Sequence, residues 1–186
     1  EAGRKIESFV DDLSNWYVRR SRRRFWKSEN DADKLSAYST LYHCLVTLSK
    51  LLAPFTPFLA ENLYQNLVGS VSPDEPESVH LADFPAADVA KIDKQLAAET
   101  RLVMRASSLG RAARSQAGVK VRQPLPIEYF SFGSERERQA LERGRGLMMD
   151  ELNVKEIKFE TPERLAALAT KPDYVVVSEA VASTAL

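Results

Sequence analysis

The sequence of 186 residues is poor in the side chains that build metal and redox centres. It has one cysteine, Cys44, and two histidines, His43 and His80. A single thiol excludes an internal disulfide and a zinc site made of several thiolates, and it is compatible with a reducing cytoplasm. Neither histidine stands in an H-E-x-x-H, C-x-x-C or H-x-E pattern, so we predict no metal site.

Other absences exclude most enzymatic sites. No G-x-x-x-x-G-K-[ST] or G-x-G-x-x-G motif occurs that could hold the phosphates of a nucleotide. The R-G-R-G sequence at 143–146 lies in a helical pattern, and we interpret it as a surface helix of weak propensity. Paired carboxylates show no sign of the burial that acid-base chemistry needs, so we predict no catalytic residue. No apolar run could span a bilayer and no signal peptide is recognisable, so we expect a soluble cytoplasmic chain without a membrane partner.

The spacing of apolar residues predicts a mainly helical fold. Along the first helix, the apolar stripe gives way to Arg20 and Arg24 beyond Tyr17, so we expect this cationic end to extend beyond the bundle. Prolines and Gly118 set the limits of the later helices. The predicted helices cover about 1–27, 31–53, 57–68 and 88–117.

The character of the sequence changes after residue 120. I-E-Y-F-S-F and V-K-E-I-K-F-E are strand-like and flank a helical stretch, while Y-V-V-V-S-E-A could supply one more strand. We therefore predict a helical bundle at 1–120. It is followed by a small β-α-β subdomain at 121–186, which we expect to be truncated at its C-terminus.

The charges balance, with 26 basic and 26 acidic residues, but the arginines are clustered. Five of them lie between Trp16 and Trp26, and no acid stands three or four residues before any of them. A solvated helix face with its own ion pairs is therefore disfavoured. Arginine suits bidentate phosphate contacts, and indole rings give unpaired bases a surface for stacking. This combination favours RNA with unpaired bases as the partner.

A second basic stretch, 101–122, also lacks acids. Near its end, Lys120 and Arg122 alternate with Val119 and Val121. We expect an extended geometry that sends both cations to one side. Taken alone, a solvated strand with its valines inward explains this pattern equally well.

Four blocks of the sequence, in order, resemble the C-terminal region of isoleucyl-tRNA synthetases, in the longer-tailed type of archaea, eukaryotes and some bacteria. They are D-L-S-N-W-Y-V-R-R-S-R-R-R-F-W with its continuation to Val68, E-S-V-H-L-A-D-F-P, G-R-A-A-R-S-Q-A-G-V-K-V-R-Q-P-L and D-E-L-N-V-K-E-I-K-F-E. The resemblance implies the anticodon-binding helix bundle shared by class I synthetases for Ile, Val, Leu, Met and Cys, followed by a small α/β junction.

The resemblance also implies a parent enzyme that joins isoleucine to its tRNA with ATP. The H-I-G-H and K-M-S-K-S signatures and the editing domain are absent from this chain, so we expect it to bind and not to catalyse, without a cofactor of its own. The expected partners are isoleucine tRNAs and the remainder of the synthetase. The predicted RNA-binding residues are Asn15, Trp16, Arg19, Arg20, Arg22, Arg23, Trp26, Lys120 and Arg122.

Two alternatives stay open. The arginine-rich helix could dock on an acidic surface of the parent enzyme, which would make the chain a structural or protein-interaction module. The chain could also be the anticodon domain of a related class I synthetase, such as the valyl enzyme.

Overall fold

The computed structural model describes residues 1–26 and 31–169. The chain forms two compact units, Glu1–Asp88 and a second that begins at Val89. The predicted division of the sequence at 120/121 stays a prediction. Lys27 and the predicted strand Y-V-V-V-S-E-A lie outside the described residues.

The predicted fold class, mainly α with a small α/β part, is confirmed. The first unit contains α1 (Ala2–Asp12), a π-helical stretch (Leu13–Val18), α2 (Arg22–Trp26), α3 (Asp31–Leu52), α4 (Pro57–Tyr64) and a second π-helical stretch (Gln65–Gly69). The second contains a 3-10 turn (Val89–Lys91), α5 (Lys94–Gln116), β1 (Leu125–Ser131), α6 (Glu135–Arg143), α7 (Arg145–Leu152), β2 (Val154–Glu160) and α8 (Pro162–Ala169).

The core of the first unit lies where α3 and α4 pack together. Tyr64 and Ala60 of α4 are fully buried, with Val68 and Val79 beside them. The loop that follows α4 is held by Glu61, whose carboxylate accepts hydrogen bonds from the Val79 amide and the Ser78 hydroxyl, both at 2.9 Å. These bonds order the long loop that the sequence predicted only as a surface crossing.

The first helix changes its register part-way along. In the stretch Leu13–Val18 the bonds lengthen to i→i+5, and the Arg19 amide donates to the carbonyl of Ser14. A π-helical turn holds one more residue than an α-helical turn, so the buried row moves on by one position. Ser21 and Phe25 are buried, where a continuous α-helix would place positions 20 and 24.

This register corrects the prediction about the cationic end of the first helix. Its cationic end packs against the rest of the unit through Phe25, whose ring lies 4.9 Å from that of Tyr38 between centroids. The opposite end, α1, buries no residue, and Phe9 and Val10 are exposed. The expected projection of the cationic end beyond the bundle was therefore wrong.

The second unit contains the predicted β-α-β order, which packs on α5, a helix that the sequence analysis assigned to the bundle. β1 and β2 pair in parallel, with Leu125 opposite Val154. α5 begins later than expected, at an N-cap where the Asp93 carboxylate accepts from the Leu96 amide at 2.8 Å. It ends where expected, because Gly118 adopts a left-handed φ of 69°.

The R-G-R-G sequence is a helix junction and not a continuous surface helix. Gly144 is buried between α6 and α7, and a Cβ there would overlap the side chain of Val103 on α5. The two flanking arginines are used within the unit: Arg143 pairs with Glu99, and Arg145 donates to the carbonyl of Ile157 at 2.8 Å. Close packing explains the glycine here.

Candidate nucleic-acid interface

The predicted site of the first unit lies on the arginine segment, which we define as residues 15–26. It spans the end of the π-helical stretch and α2. Phe25 and Ser21 form its buried inner side, and Tyr17 and Arg24 contact α3. The seven predicted residues of this segment are all exposed or half-buried.

Arg24 forms an ion pair with an acidic residue of the neighbouring helix. Its Nε and Nη2 donate to the two carboxylate oxygens of Asp33 on α3, at 2.9 and 2.7 Å. These hydrogen bonds raise the pKa of Arg24 and lower the pKa of Asp33. A bidentate pair of this kind fixes α2 against α3. Arg24 was not among the predicted RNA-binding residues.

Trp16 and Arg20 form a cation–π pair. The guanidinium carbon of Arg20 lies 5.1 Å from the centroid of the half-buried indole. One residue earlier in the chain, Arg19 Nε donates to the carbonyl of Asn15 at 2.8 Å, and the Asn15 amide donates to the carboxylate of Asp11. Four of the predicted residues therefore form two neighbouring pairs on the segment.

Arg22, Arg23 and Trp26 are the part of the segment that faces solvent. Within 1–26 and 31–169, no hydrogen bond or ion pair engages either arginine side chain. The Trp26 side chain is 71 % exposed and meets Phe25 edge-on, with ring centroids 6.4 Å apart. The two guanidinium groups can bind phosphates, and the open indole face beside them can stack with a base.

Lys120 and Arg122 lie in the second unit, on a tight turn at the end of α5. The Gln123 amide donates to the carbonyl of Lys120 at 2.9 Å, which closes the turn. The predicted extended geometry was therefore wrong, because a turn does not alternate its side chains between two faces as a strand does. Both cations are exposed, as is Val121 between them.

Arg114 holds this turn from inside the unit. Its residue is only 3 % exposed, and its Nη2 donates to the carbonyls of Lys120, at 2.8 Å, and Gln123. The side chain of Asn153 donates to the carbonyl of Val121 at 3.0 Å. The turn that bears the two predicted cations is thus fixed by three carbonyl contacts.

Glu128 on β1 is an unusual buried acid. It is 8 % exposed, its carboxylate lies against Gly110 of α5, and neither oxygen has a hydrogen-bond partner within the described ranges. Burial raises its pKa to about 7, although the nearby charge of Arg114 acts in the opposite direction. At neutral pH this side chain is therefore partly protonated.

Three of these features were missed by the sequence analysis. Asp33 was overlooked as a partner of Arg24 because only acids within the same helix were considered. Arg114 and Glu128 were not singled out, because their burial depends on packing between α5 and the sheet. A signal existed only for Asp33, which lies two residues after the predicted turn at 28–31.

Within 1–26 and 31–169, the two histidines and the cysteine belong to no metal-binding cluster. Over the described part of the chain, no three His, Cys, Asp or Glu side chains are grouped to hold a metal ion. Burial raises the pKa of the Cys44 thiol, which keeps it protonated and unreactive. Among the described helices, none is long and apolar enough to cross a membrane.

The arginine segment presents groups that can bind anions and stack with bases. Comparison with known proteins shows the family of the chain. The sequence profile of the family described as "Anticodon-binding domain of tRNA ligase" matches residues 1–129. The chain belongs to this family. The match covers the whole first unit, including the arginine segment, together with α5 and most of β1.

The curated relatives that match the chain include isoleucine–tRNA ligases of several bacteria. The chain is 61 % identical over 181 residues to isoleucine–tRNA ligase of Dehalococcoides mccartyi strain 195, which covers 95 % of this chain and 18 % of that protein. It is 65 % identical over 162 residues to the enzyme of strain CBDB1, covering 87 % of the chain and 16 % of the relative. For isoleucine–tRNA ligase of Thermus thermophilus, the identity is 51 % over 162 residues, with coverage of 87 % and 16 %. The chain thus spans less than a fifth of the length of these relatives.

Proposed function

We infer that this domain recognises the anticodon stem and loop of isoleucine tRNA in the cytoplasm. It does so as part of an ATP-dependent isoleucine–tRNA ligase whose catalytic and editing domains lie elsewhere in the parent enzyme. The observation that carries this proposal is the open face formed by Arg22, Arg23 and Trp26, within a domain that belongs to an anticodon-binding family. The domain itself uses no cofactor, and ATP serves the parent enzyme.

The side chains of the open face make different kinds of contact with the RNA. The guanidinium groups of Arg22 and Arg23 contact phosphates, which gives affinity without regard to sequence. Trp26 stacks on an unpaired base of the loop, and Asn15 and the Trp16–Arg20 pair line the adjoining turn. Arg24 contributes indirectly, because its pair with Asp33 holds the face in place.

The test measures the affinity of the 186-residue chain for the anticodon stem-loop of isoleucine tRNA over a range of salt concentrations. Replacing Arg22 and Arg23 by Gln together should weaken binding to all RNAs alike. It should also reduce the slope of log affinity against log salt by about 1.4, at roughly 0.7 per phosphate contact on single strands. Arg4→Gln with Lys5→Gln is the matched control, because it removes two exposed charges from α1 of the same unit.

The stacking part is tested separately with Trp26→Ala. The side chain is exposed, so this variant should keep its melting temperature but lose roughly 1–3 kcal/mol of RNA binding, the range for stacking on one base. Its preference for the isoleucine over the valine stem-loop should also fall. Equal loss of affinity in the two double variants would contradict the assignment of phosphate contacts to the arginine segment.

A second candidate is a structural module that docks on the rest of the parent enzyme. It is favoured by an exposed apolar group at the start of α4, where Phe58 is 91 % exposed beside Phe55 and Leu59. If the chain fails to bind any tRNA in a gel shift, this candidate replaces the first. The two are otherwise compatible, since the apolar group and the arginine segment are different residues.

A further inference from the structure

A small cationic cavity lies in the second unit, beside the turn at the end of α5. Its volume is about 380 Å³, near the lower end for sites that bind small ligands. It is lined by Arg111, Ser115, Gly118, Val119, Lys120 and Val121. The lining thus offers a guanidinium, an ammonium and a hydroxyl group, and none of the six residues is acidic.

Arg111 is fixed in this cavity by an ion pair. Its Nη1 donates to a carboxylate oxygen of Glu151 at 2.7 Å, and the Glu151 side chain is only 4 % exposed. Within the described ranges, no hydrogen bond uses Nε or Nη2 of Arg111. A guanidinium held at one nitrogen keeps its other donors oriented for a ligand, which reduces the entropy lost on binding.

Lys120 is positioned by the backbone and not by its own side chain. Arg114 and Asn153 bind the turn carbonyls from inside the unit, so that the backbone of Lys120 has one geometry. We assign Arg114 as a positioning residue for the cavity, since its Nη2 contacts the turn and it is not among the lining side chains. Hydrogen bonds from inside the unit therefore fix both the Arg111 side chain and the backbone of Lys120.

Two features count against an anion here: the Glu151 carboxylate, which offsets the charge of Arg111, and the end of α5. The C-terminal carbonyls of a helix carry partial negative charge, which repels anions by a few tenths to one kcal/mol when they are unsatisfied. Three of the last four carbonyls are used here. Those of Ala113, Ser115 and Arg114 accept hydrogen bonds from the amides of 117, 118 and 119 at 2.9, 3.1 and 2.8 Å. The Lys120 ammonium, which forms no ion pair within the described ranges, therefore supplies the uncompensated charge of the lining.

We propose that this cavity binds a phosphate group, with Arg111, Lys120 and Ser115 as its ligands and Arg114 as the residue that positions the turn. The phosphate would come from the backbone of bound tRNA or from free phosphate in solution. The tRNA source rests on the proposed function. The site lies entirely in the second unit and adds a phosphate contact to those of the arginine segment.

The first test titrates the isotopically labelled 186-residue chain with inorganic phosphate at constant ionic strength and follows amide signals by NMR. Signals of Gly118, Val119 and Lys120 should shift and saturate. Lys120→Gln should weaken this binding about tenfold, since a charged hydrogen-bonding partner is lost. Lys155→Gln, which removes an exposed charge from β2, is the matched control and should bind as the wild type does.

A second variant guards against misfolding. Arg111→Gln would remove the ion pair to the buried Glu151 carboxylate, so Arg111→Lys is used instead. It keeps the charge but loses the planar fork, and it should weaken phosphate binding severalfold at an unchanged melting temperature. If no signal of the turn saturates, or if Lys120→Gln and Lys155→Gln bind phosphate equally, the proposal is overturned.

A second measurement separates the two sources of phosphate. With a full tRNA transcript, Lys120→Gln should lower the affinity more than Lys155→Gln and reduce the salt slope by roughly 0.7–0.9, if the cavity holds a backbone phosphate. Equal tRNA affinities, together with a confirmed phosphate site, would assign the cavity to free phosphate. Because the variants of the arginine segment are tested separately, loss of the proposed function would not be confused with loss of this site.

Discussion

The buried carboxyl of Glu128 makes the stability of the second unit depend on pH. Its pKa is raised from 4.5 to about 7 in the folded chain because burial disfavours the charged form. In the unfolded chain, the group ionises at the ordinary value. Its contribution to stability is therefore fully present below about pH 4.5 and is lost as the pH rises through about 7.

The size of the effect follows from the two pKa values. A tenfold change in an acid dissociation constant corresponds to about 1.4 kcal/mol, so the rise of the Glu128 pKa from 4.5 to about 7 is worth about 3 kcal/mol in total. Most of it, about 2 to 3 kcal/mol, is lost between about pH 5 and pH 8. This is a large share of the stability of a small domain.

The variant Glu128→Gln tests this reasoning because the amide resembles the protonated acid and does not titrate. It carries its own fixed cost from an unpaired buried amide, but that cost does not change with pH. Wild-type stability should fall between about pH 5 and pH 8, and the variant should remain level. Glu156→Gln, on the neighbouring strand, controls for the substitution, because its side chain is exposed.

Hydrogen exchange provides the assay, since it reports the two units separately. Peptides from Leu125–Ser131 and Val154–Glu160 should lose protection by about thirty- to a hundredfold over this pH range, after correction for the intrinsic rates. Peptides from Pro57–Tyr64 in the first unit serve as the internal reference. Parallel loss of protection in the wild type and in Glu128→Gln would refute the assignment of the effect to this carboxyl.

Three further predictions follow from the packing. Gly144→Ala should lower the stability of the second unit by about 1–3 kcal/mol, and Val103→Ala should relieve part of that loss in the double variant, as measured by chemical unfolding. In Arg24→Gln, the pKa of Asp33 should rise back toward 3.8, which an NMR titration would show; no change would mean that their hydrogen bonds do not form in solution. In a variant whose only indole is Trp26, acrylamide should quench the fluorescence readily, and bound tRNA should protect it; a shielded indole in the free chain would contradict the exposed position.

Much of the fold could be predicted from local signals. Pro54, Pro57 and Gly118 end or begin helices for steric reasons that act within a few residues, and the structure agrees with each of them. The β-α-β order was also readable, because strand-like and helical stretches differ in their apolar period. The family resemblance, carried by the four sequence blocks, was confirmed by the comparisons.

The inner geometry of the candidate site could not be predicted in this way. The partner of Arg24 comes from the next helix, and the burial of Arg114 and Glu128 depends on the packing of α5 against β1. Such contacts join residues that are distant in sequence, and the periodicity of one helix carries no information about them. The buried row of the first helix was misplaced by one residue for a similar reason, because a period of about 100° per residue assumes an uninterrupted α-helix.

The π-helical stretch Leu13–Val18 lets the first helix hold one residue more than an α-helix of the same length. Because the wide turn absorbs that residue, the part downstream keeps the face that it presents to its neighbours. Deleting the surplus residue, for example Ser14, would convert the stretch to ordinary α-helix and leave Phe25 on the buried side and Arg22 and Arg23 on the outer side. One residue inserted where no wide turn absorbs it would instead rotate everything downstream by about 100°. The wide turn thus makes the direction of the cations independent of one residue of helix length.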